Sequence, residues 1–449
     1  MKRFDHPART RQQRAERTGG RGGGRPGGAK PASAPVARTE MLNIEEMGAR
    51  GDAVAAGAEG PIYVAYALPG ERIEARVAGD RGEISTLIAP SPERQDPPCA
   101  HFGVCGGCQF QHWRTEPTLA WKREQVVKAF ARRGLDAPVD PIVDATAGGR
   151  RRAAFHAVRT PRGVRFGFMA RGSAMLTPIS QCPVLAPALE AALPALAELG
   201  AAFAPARGEI TMPTLLTETG LDVSLKGAGR ATDLAPTQLE HAAALLERLD
   251  FARVSFGDEP FLTGRTPVVT MGRARVTPPP GAFLQATAAG EEALARLALA
   301  AIGDARRTAD LFCGIGTFAL RLAETSEVLA VEGDAAMLAA LARAADATGG
   351  ALKTISTQRR DLLRTPISAL ELKHCDAIVF DPPRSGARQQ AEQIAKSKAT
   401  RVAAVACDPA TLARDVRVLV DGGFSIKRIT PVDQFRWSPH VEIVVALER

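Results

Sequence analysis

Long apolar runs are absent from this chain of 449 residues. A helix needs about 20 mostly apolar residues to cross a bilayer, so a membrane-spanning protein is excluded at this level. The N-terminus is charged and glycine-rich and lacks the apolar core of a secretory signal, so a soluble cytoplasmic protein is expected. Cysteine is scarce: seven residues do not make a disulfide scaffold in a chain of this length. In a reducing compartment they serve metal binding and catalysis, with some buried as small apolar side chains. Net charge is also missing outside one segment. Residues 1–38 hold ten Lys/Arg and two Asp/Glu, which leaves 47 basic and 47 acidic residues in 39–449. Any RNA affinity of the body must therefore come from local asymmetry, and residues 122–171 supply it with twelve Lys/Arg against four Asp/Glu. Such a stretch can neutralise phosphates and release counterions.

Residues 1–38 are low in complexity, with the run Arg21-Gly22-Gly23-Gly24-Arg25-Pro26-Gly27-Gly28. They cannot bury enough apolar area to offset ordering entropy and read as a disordered basic tail. From 39 to 96, runs such as Arg72–Val77 and Gly82–Ile88 alternate in polarity between Gly/Pro/Asp turns. Five short strands at that spacing suit a small barrel of the oligonucleotide-binding kind. Residues 97–280 mix helical runs (118–134, 185–200, 234–249) with strand-like ones, including 150–180 with Gly163 and Gly172 at turns. They read as a central α/β domain. In 281–449 the strand-like runs Thr308–Phe312, Val328–Glu332, Leu352–Ser356, Ala377–Phe380 and Arg401–Ala406 alternate with helical ones. That alternation predicts a parallel, doubly wound α/β sheet. The last two runs, Ile426–Val432 and Val441–Leu447, lie close together and suit a hairpin at one sheet edge.

Open α/β sheets bind ligands at the carboxyl ends of their strands. Asp310–Phe318 marks such an end, where Gly314 and Gly316 let the backbone approach a ligand and turn into a helix. Glu332 ends the next strand, where an acid can take both ribose hydroxyls. The third glycine of the dinucleotide fingerprint is missing, which favours S-adenosylmethionine (SAM) over nicotinamide cofactors. Asp381-Pro382-Pro383-Arg384 follows another apolar strand, and its prolines fix a backbone that can hold a flipped base against Asp381. Cys407 lies at the following strand end, ahead of a helix over Ala410–Val420 whose N-terminus is expected to lower the thiol's pKa.

These motifs point to methyl transfer onto a nucleobase carbon. Carbon 5 of uracil is a poor nucleophile. A thiolate adding to carbon 6 makes an enolate and pushes charge onto carbon 5. After methyl transfer, a base removes the carbon-5 proton and the thiol is eliminated. Cys407 is the candidate nucleophile and Glu442 the candidate base, with His440 as its rival. Cys313 and Cys375 read as packing residues. The remaining cysteines form a group of their own. Cys99, Cys105 and Cys108 follow C-x5-C-x2-C, Gly106 and Gly107 permit a tight wrap, and Cys182 makes a natural fourth ligand. By ligand count, four thiolates suit zinc or an iron–sulfur cluster equally.

Jointly, Cys99…Cys105-Gly106-Gly107-Cys108-Gln109-Phe110-Gln111-His112, Cys182-Pro183-Val184-Leu185, Phe283-Leu284-Gln285, Asp310–Phe318, Asp381–Arg384, Cys407–Asp415 and His440-Val441-Glu442 resemble one family. It is that of the bacterial iron–sulfur RNA uracil-C5 methyltransferases, which modify large-subunit ribosomal RNA. The likeness spans 39–449, the barrel being similar to a TRAM domain. It implies a four-iron four-sulfur cluster on Cys99, Cys105, Cys108 and Cys182. It also implies SAM contacts at Gln285, Phe312, Thr317, Glu332, Asp361 and Asp381, with Cys407 as nucleophile and Glu442 as base. The transfer-RNA branch usually lacks these cysteines, so ribosomal RNA is the expected partner of a monomer. Transfer RNA, or a non-catalytic role in RNA binding or ribosome assembly, is the alternative. Two positions depart from the family, which usually has Asn where this chain has Asp408 and Thr287. A negative charge at Asp408 is expected to raise the neighbouring thiol's pKa.

Overall fold

A computed structural model describes residues 37–449. The expected tail therefore lies, but for its last two residues, outside the described residues; Arg38 already opens a strand. The chain forms two compact units, Met1–Gln95 and Asp96–Arg449. In the first, β1 (Arg38–Met47), β2 (Ala53–Gly57), β3 (Gly60–Val64), β4 (Arg72–Ala78) and β5 (Arg81–Ala89) close a barrel in the order β1-β2-β3-β5-β4. Period-two alternation puts Leu42, Ile44, Ile73, Ala75 and Val77 inside. Buried Glu71 latches the exit, accepting from Leu68 N–H at 2.8 Å and from the Arg94 guanidinium at 2.8 Å.

The second unit carries two large sheets. The first runs in the order β13-β12-β11-β10-β7-β8-β9. It is built from β7 (Arg152–Thr160), β8 (Gly163–Met169), β9 (Leu176–Pro178), β10 (Glu209–Thr217), β11 (Gly220–Leu225), β12 (Arg253–Phe256) and β13 (Glu259–Thr263). The helices α2 (Pro187–Ala191), α3 (Leu193–Phe203) and α4 (Pro236–Leu249) come from the stretches whose Ala/Leu periodicity predicts them. Leu196 and Leu199 of α3 pack with Phe155, Ile210 and Met212 of the sheet.

The other sheet is the expected doubly wound one, in the order β18-β17-β16-β19-β20-β22-β21-β6. The small hairpin β14 (Val269–Met271) and β15 (Ala274–Val276) leads into α5 (Ala288–Ile302). Parallel strands follow: β16 (Arg307–Leu311), β17 (Glu327–Glu332), β18 (Ile355–Arg359), β19 (Ala377–Phe380) and β20 (Arg401–Ala406). The antiparallel pair β21 (Ser425–Asp433) and β22 (Glu442–Glu448) completes the chain, with β22 beside β20. Alternation splits the strand side chains between two cores. Val379, Ala403 and Val405 face α5, α6 (Ala319–Leu322) and α7 (Ala335–Asp346). Ile378, Phe380 and Ala404 face α8 (Arg388–Lys396) and α9 (Pro409–Asp421). These strands are buried on both faces and read as near-continuous apolar runs, as a covered parallel sheet requires.

The stretch 97–280 supplies the middle sheet and also two pieces that pack with the other one. The helix α1 (Thr115–Ala131) buries Val126 and Phe130 in the same core as α9, and β6 (Val143–Asp144) extends the sheet beyond β21. The hairpin thus lies one strand in from the edge. The physical reason is that β21 has apolar surface and ladder groups to cover, and the nearest chain that can cover them precedes the middle sheet. No described helix is long and apolar enough to cross a membrane.

Candidate active site

The parallel strands end in a row of candidate residues: Phe312 after β16, Glu332 closing β17, Asp361 after β18, Asp381 after β19 and Cys407 after β20. Phe312 has a left-handed φ of +65° and its N–H donates to Val331 O at 2.9 Å, so the chain turns off the strand at once. The two glycines of the turn do different things. At Gly314 (φ +56°) a Cβ would point into open space, whereas at Gly316 (φ +102°) it would meet Leu320 Cδ1 at 2.9 Å. Gly314 thus leaves room for a ligand, and Gly316 lets the turn pack on its own helix. Gly314 N–H donates to Glu332 Oε2 at 3.1 Å, and the other oxygen takes Gly333 N–H at 2.6 Å. That oxygen also takes Asp334 N–H at 2.9 Å, so Glu332 holds the turn while Oε2 keeps a lone pair for a hydroxyl. Thr317 closes the turn, its carbonyl accepting from Arg321 at 2.8 Å. Asp361 accepts from Leu363 N–H at 3.1 Å.

The β20–β22 ladder ends at Ala406 and Ile443, with Cys407 the next residue out of β20 and Glu442 the first of β22. The charge of Glu442 reaches the Cys407 thiol. Glu442 is 5% exposed. Burial pushes its carboxyl up to about 8, and the charge of Asp381 adds to this, while Gln434 and Arg152 oppose it. Burial also pushes Asp381 up to about 7 and Asp310 up to about 8. Four proton-binding groups thus crowd one low-dielectric site, where each charge disfavours the next.

The expectation of a lowered Cys407 thiol is not met. Burial pushes it up to about 12, with Glu442 and then Asp381 adding and Arg384 opposing. The N-terminus of α9 is occupied by another group: Asp408 caps it, accepting from Ala410 N–H at 3.0 Å and Thr411 N–H at 2.9 Å. Asp408 also contributes nothing noticeable to the thiol, since the acids that raise it are Glu442 and Asp381. An aspartate in place of asparagine at this position is therefore explained by capping, for which the two residue types serve equally.

His440 is driven down to about 4, by burial first and then by Arg384, Lys122 and Arg150. Arg384 Nη2 lies 3.2 Å from His440 Nδ1. A guanidinium only donates, so Nδ1 accepts and the neutral ring carries its proton on Nε2. Three further participants lack any sequence motif. Gln434 donates to Gln285 Oε1 at 2.6 Å and to Glu442 Oε1 at 3.2 Å, and Gln285 Nε2 donates to Asp381 Oδ2 at 3.4 Å. Buried Lys122 donates to Asp433 Oδ1 at 2.7 Å and Phe435 O at 3.0 Å. Arg152 lies over the half-exposed ring of Phe283, 4.1 Å from its centroid. A polar pair ending a strand was the one available sign of Asp433 and Gln434.

Cys99, Cys105, Cys108 and Cys182 line one cavity of about 290 Å³, with Arg150 in its wall. Burial raises the Cys105, Cys108 and Cys182 thiols, Cys108 to about 12 and Cys182 to about 11. Gly107 N–H donates to Cys105 Sγ at 3.4 Å. Among the described residues, no three His, Cys, Asp or Glu side chains converge tightly enough for a single metal ion. The cavity wall is joined to the loop before Glu442. Gln109 and Phe110 N–H both donate to Trp437 O, at 2.8 and 3.0 Å, and Arg150 lies 5.9 Å from the Phe435 ring. Cys313 and Cys375 are buried in the two cores, as packing residues should be.

Comparison with known proteins places this geometry. The family model for tRNA (uracil-5-)-methyltransferases matches residues 279–449. An RNA methyltransferase of Brucella suis biovar 1, itself uncharacterized, is 47% identical over 412 residues, covering 92% of this chain and 98% of the relative. The 23S rRNA (uracil(1939)-C(5))-methyltransferase of Halomonas elongata is 33% identical over 442 residues, 92% of this chain and 89% of that one. The crystal structure of the Pyrococcus abyssi tRNA (uracil-54, C5)-methyltransferase in complex with S-adenosyl-L-homocysteine superposes with a TM-score of 0.69. It covers 91% of this chain and 99% of that one at 20% identity, a likeness of fold. The chain belongs to the RNA uracil-5-methyltransferase family.

Proposed function

We propose that this enzyme methylates carbon 5 of a uridine in large-subunit ribosomal RNA, with SAM as donor, through a covalent adduct on Cys407. The proximity of Cys407 and Glu442 at the end of the β20–β22 ladder carries the reading, because the chemistry needs a nucleophile and a base at one ring. The 23S rRNA activity of the Halomonas elongata relative supports the substrate.

Bound SAM supplies an electrophilic methyl group. The open space at Gly314 and the carboxylate of Glu332 suit its nucleoside end, with Gln285, Phe312, Thr317, Asp361 and Asp381 around it. In its thiolate form, the Cys407 sulfur forms a bond to carbon 6 of the uracil, and the pair of the 5,6 double bond moves onto carbon 5 and the carbonyl. Asp381, whose carboxyl burial pushes up, can share a proton with that carbonyl. Carbon 5 would take the methyl group, the pair of the broken sulfonium carbon–sulfur bond staying on sulfur as a neutral thioether. Glu442 then removes the carbon-5 proton, the double bond re-forms and the sulfur leaves. Glu442 is the better base: its carboxyl binds a proton near pH 8, while His440 barely binds one and its Nδ1 faces Arg384.

The four thiols around one cavity, with the Gly107 N–H on Cys105, fit a four-iron four-sulfur cluster held by Cys99, Cys105, Cys108 and Cys182. Its role in this reading is to hold Gln109 and Phe110, which follow Cys108, against the active-site loop. The protein is read as a cytoplasmic monomer. The test incubates wild type and Cys407→Ala with labelled SAM and unmodified 23S rRNA or tRNA. 5-Methyluridine in the ribosomal RNA from wild type alone supports the proposal. Product in tRNA only overturns the substrate, and product from both proteins overturns the nucleophile.

A further inference from the structure

We propose that Gln434 is the positioning residue of Glu442: its amide aims the carboxylate at the proton to be removed. The inference rests on the reading of Glu442 as the base. Gln434 is 3% exposed, and both hydrogens of its Nε2 are used, one on Gln285 Oε1 at 2.6 Å and one on Glu442 Oε1 at 3.2 Å. Its Oε1 accepts from Thr287 N–H at 3.4 Å, which sets which end of the amide faces the acid. Beyond Gln285 the line continues to Asp381 at 3.4 Å. Two amides in series therefore present donors to the two carboxylates, and a turned-over amide would lose its bonds: three at Gln434 and two at Gln285.

The backbone around Gln434 is fixed as firmly as its side chain. Asp433 on one side takes Lys122 Nζ at 2.7 Å and Phe435 N–H at 2.8 Å, and Phe435 O on the other side takes the same ammonium at 3.0 Å. Helix α5 presses on the side chain: a Cβ at Gly290 would come within 2.7 Å of Gln434 Oε1. The Thr287 hydroxyl that starts this helix is turned away, donating to Ala145 O at 2.7 Å, so the main chain of that residue serves Gln434 and its side chain does not. Glutamine at 434 gives Glu442 a neutral donor among the charged groups that face it: Asp381 and Cys407 from the neighbouring strand ends and Arg152 from β7. A donor to the charged form favours that form.

The test compares wild type, Gln434→Met, Gln434→Glu and Glu442→Gln in turnover from pH 6 to 10, with covalent protein–RNA adduct read on denaturing gels. Methionine keeps the volume and removes both donors. Gln434→Met is expected to accumulate methyl-bearing adduct. Its turnover should fall about tenfold at pH 7 and recover toward wild type at pH 9.5, as a rise of one unit in the governing pKa requires. Gln434→Glu, which adds a charge beside the base once ionised, should shift the profile the same way and serves if the methionine variant does not fold. A structural role alone would lower adduct formation and turnover together and leave the pH profile in place. That result, with Glu442→Gln still trapping adduct, overturns the inference. If Glu442→Gln traps no adduct, the base assignment fails first and Gln434 loses its role with it.

Discussion

Cys407 and Glu442 directly adjoin the last ladder pair of β20 and β22, Ala406 and Ile443, so one sheet end holds nucleophile and base near each other. A loop-borne base would hold its distance less well. Replacing either should leave the fold intact and stop the reaction at a different point. Cys407→Ala is expected to lose 5-methyluridine by more than a thousandfold, about the scale seen for other nucleophiles, and to form no adduct. Glu442→Gln is expected to form the methylated adduct and keep it. Mass spectrometry of the protein–RNA conjugate distinguishes the two.

Turnover should rise with pH. Glu442 must be ionised to take a proton, and its carboxyl is held at about 8, so the rate limited by proton removal climbs through that value. The thiol, held at about 12, adds a further rise above it. A profile flat between pH 6 and 9 under single-turnover conditions counts against this assignment.

The same acids should cost stability. A carboxyl whose folded pKa lies above its unfolded value binds more protons when folded. Its stabilising contribution is complete below the unfolded pKa and is lost as pH rises toward the folded one. Asp381→Asn and Glu442→Gln should therefore raise the melting temperature by about 2 °C at pH 8 and by less at pH 5. Thermal melts at the two pH values check the sign.

Asp408 should behave as a cap and not as a brake. Asp408→Asn is expected to leave turnover and stability within about twofold and about 0.5 kcal/mol, since either side chain accepts from Ala410 and Thr411. Asp408→Ala should cost about 1 kcal/mol in stability. A large rate gain in the asparagine variant would place its charge on the thiol after all.

Loss of the cysteine cavity should be felt at the active-site loop. Cys108→Ser is expected to remove the visible absorbance of a reconstituted cluster. It should also speed amide exchange at Gln109 and Phe110, whose N–H groups hold Trp437 O. Unchanged exchange there would disconnect the cavity from the loop.

What the sequence made legible was local. The glycine turn, Asp381 and Cys407 each sit where an apolar run ends, and strand ends are where an open sheet collects its ligands. The strand expected at Leu352–Ser356 is found at Ile355–Arg359 because this edge strand is polar; Leu352 packs on the core from the turn before it. Gln434 and Lys122 could not be read in advance. Their meaning depends on partners far along the chain, and a glutamine after an aspartate carries no periodicity. The thiol's direction was misjudged for a related reason: a helix start is visible in sequence, whereas the acids and the burial that outweigh it come from other strands.

The bond from Lys122 to Asp433 spans 311 residues. Synthesis delivers α1 early, and the strand it anchors is nearly the last to be made. Until then the Lys122 ammonium lacks both of its partners, Asp433 and Phe435. The ribosome must therefore release nearly the whole polypeptide before this active site can close, and a chain stopped at residue 430 would keep its glycine turn and Cys407 yet lack the base and its anchor.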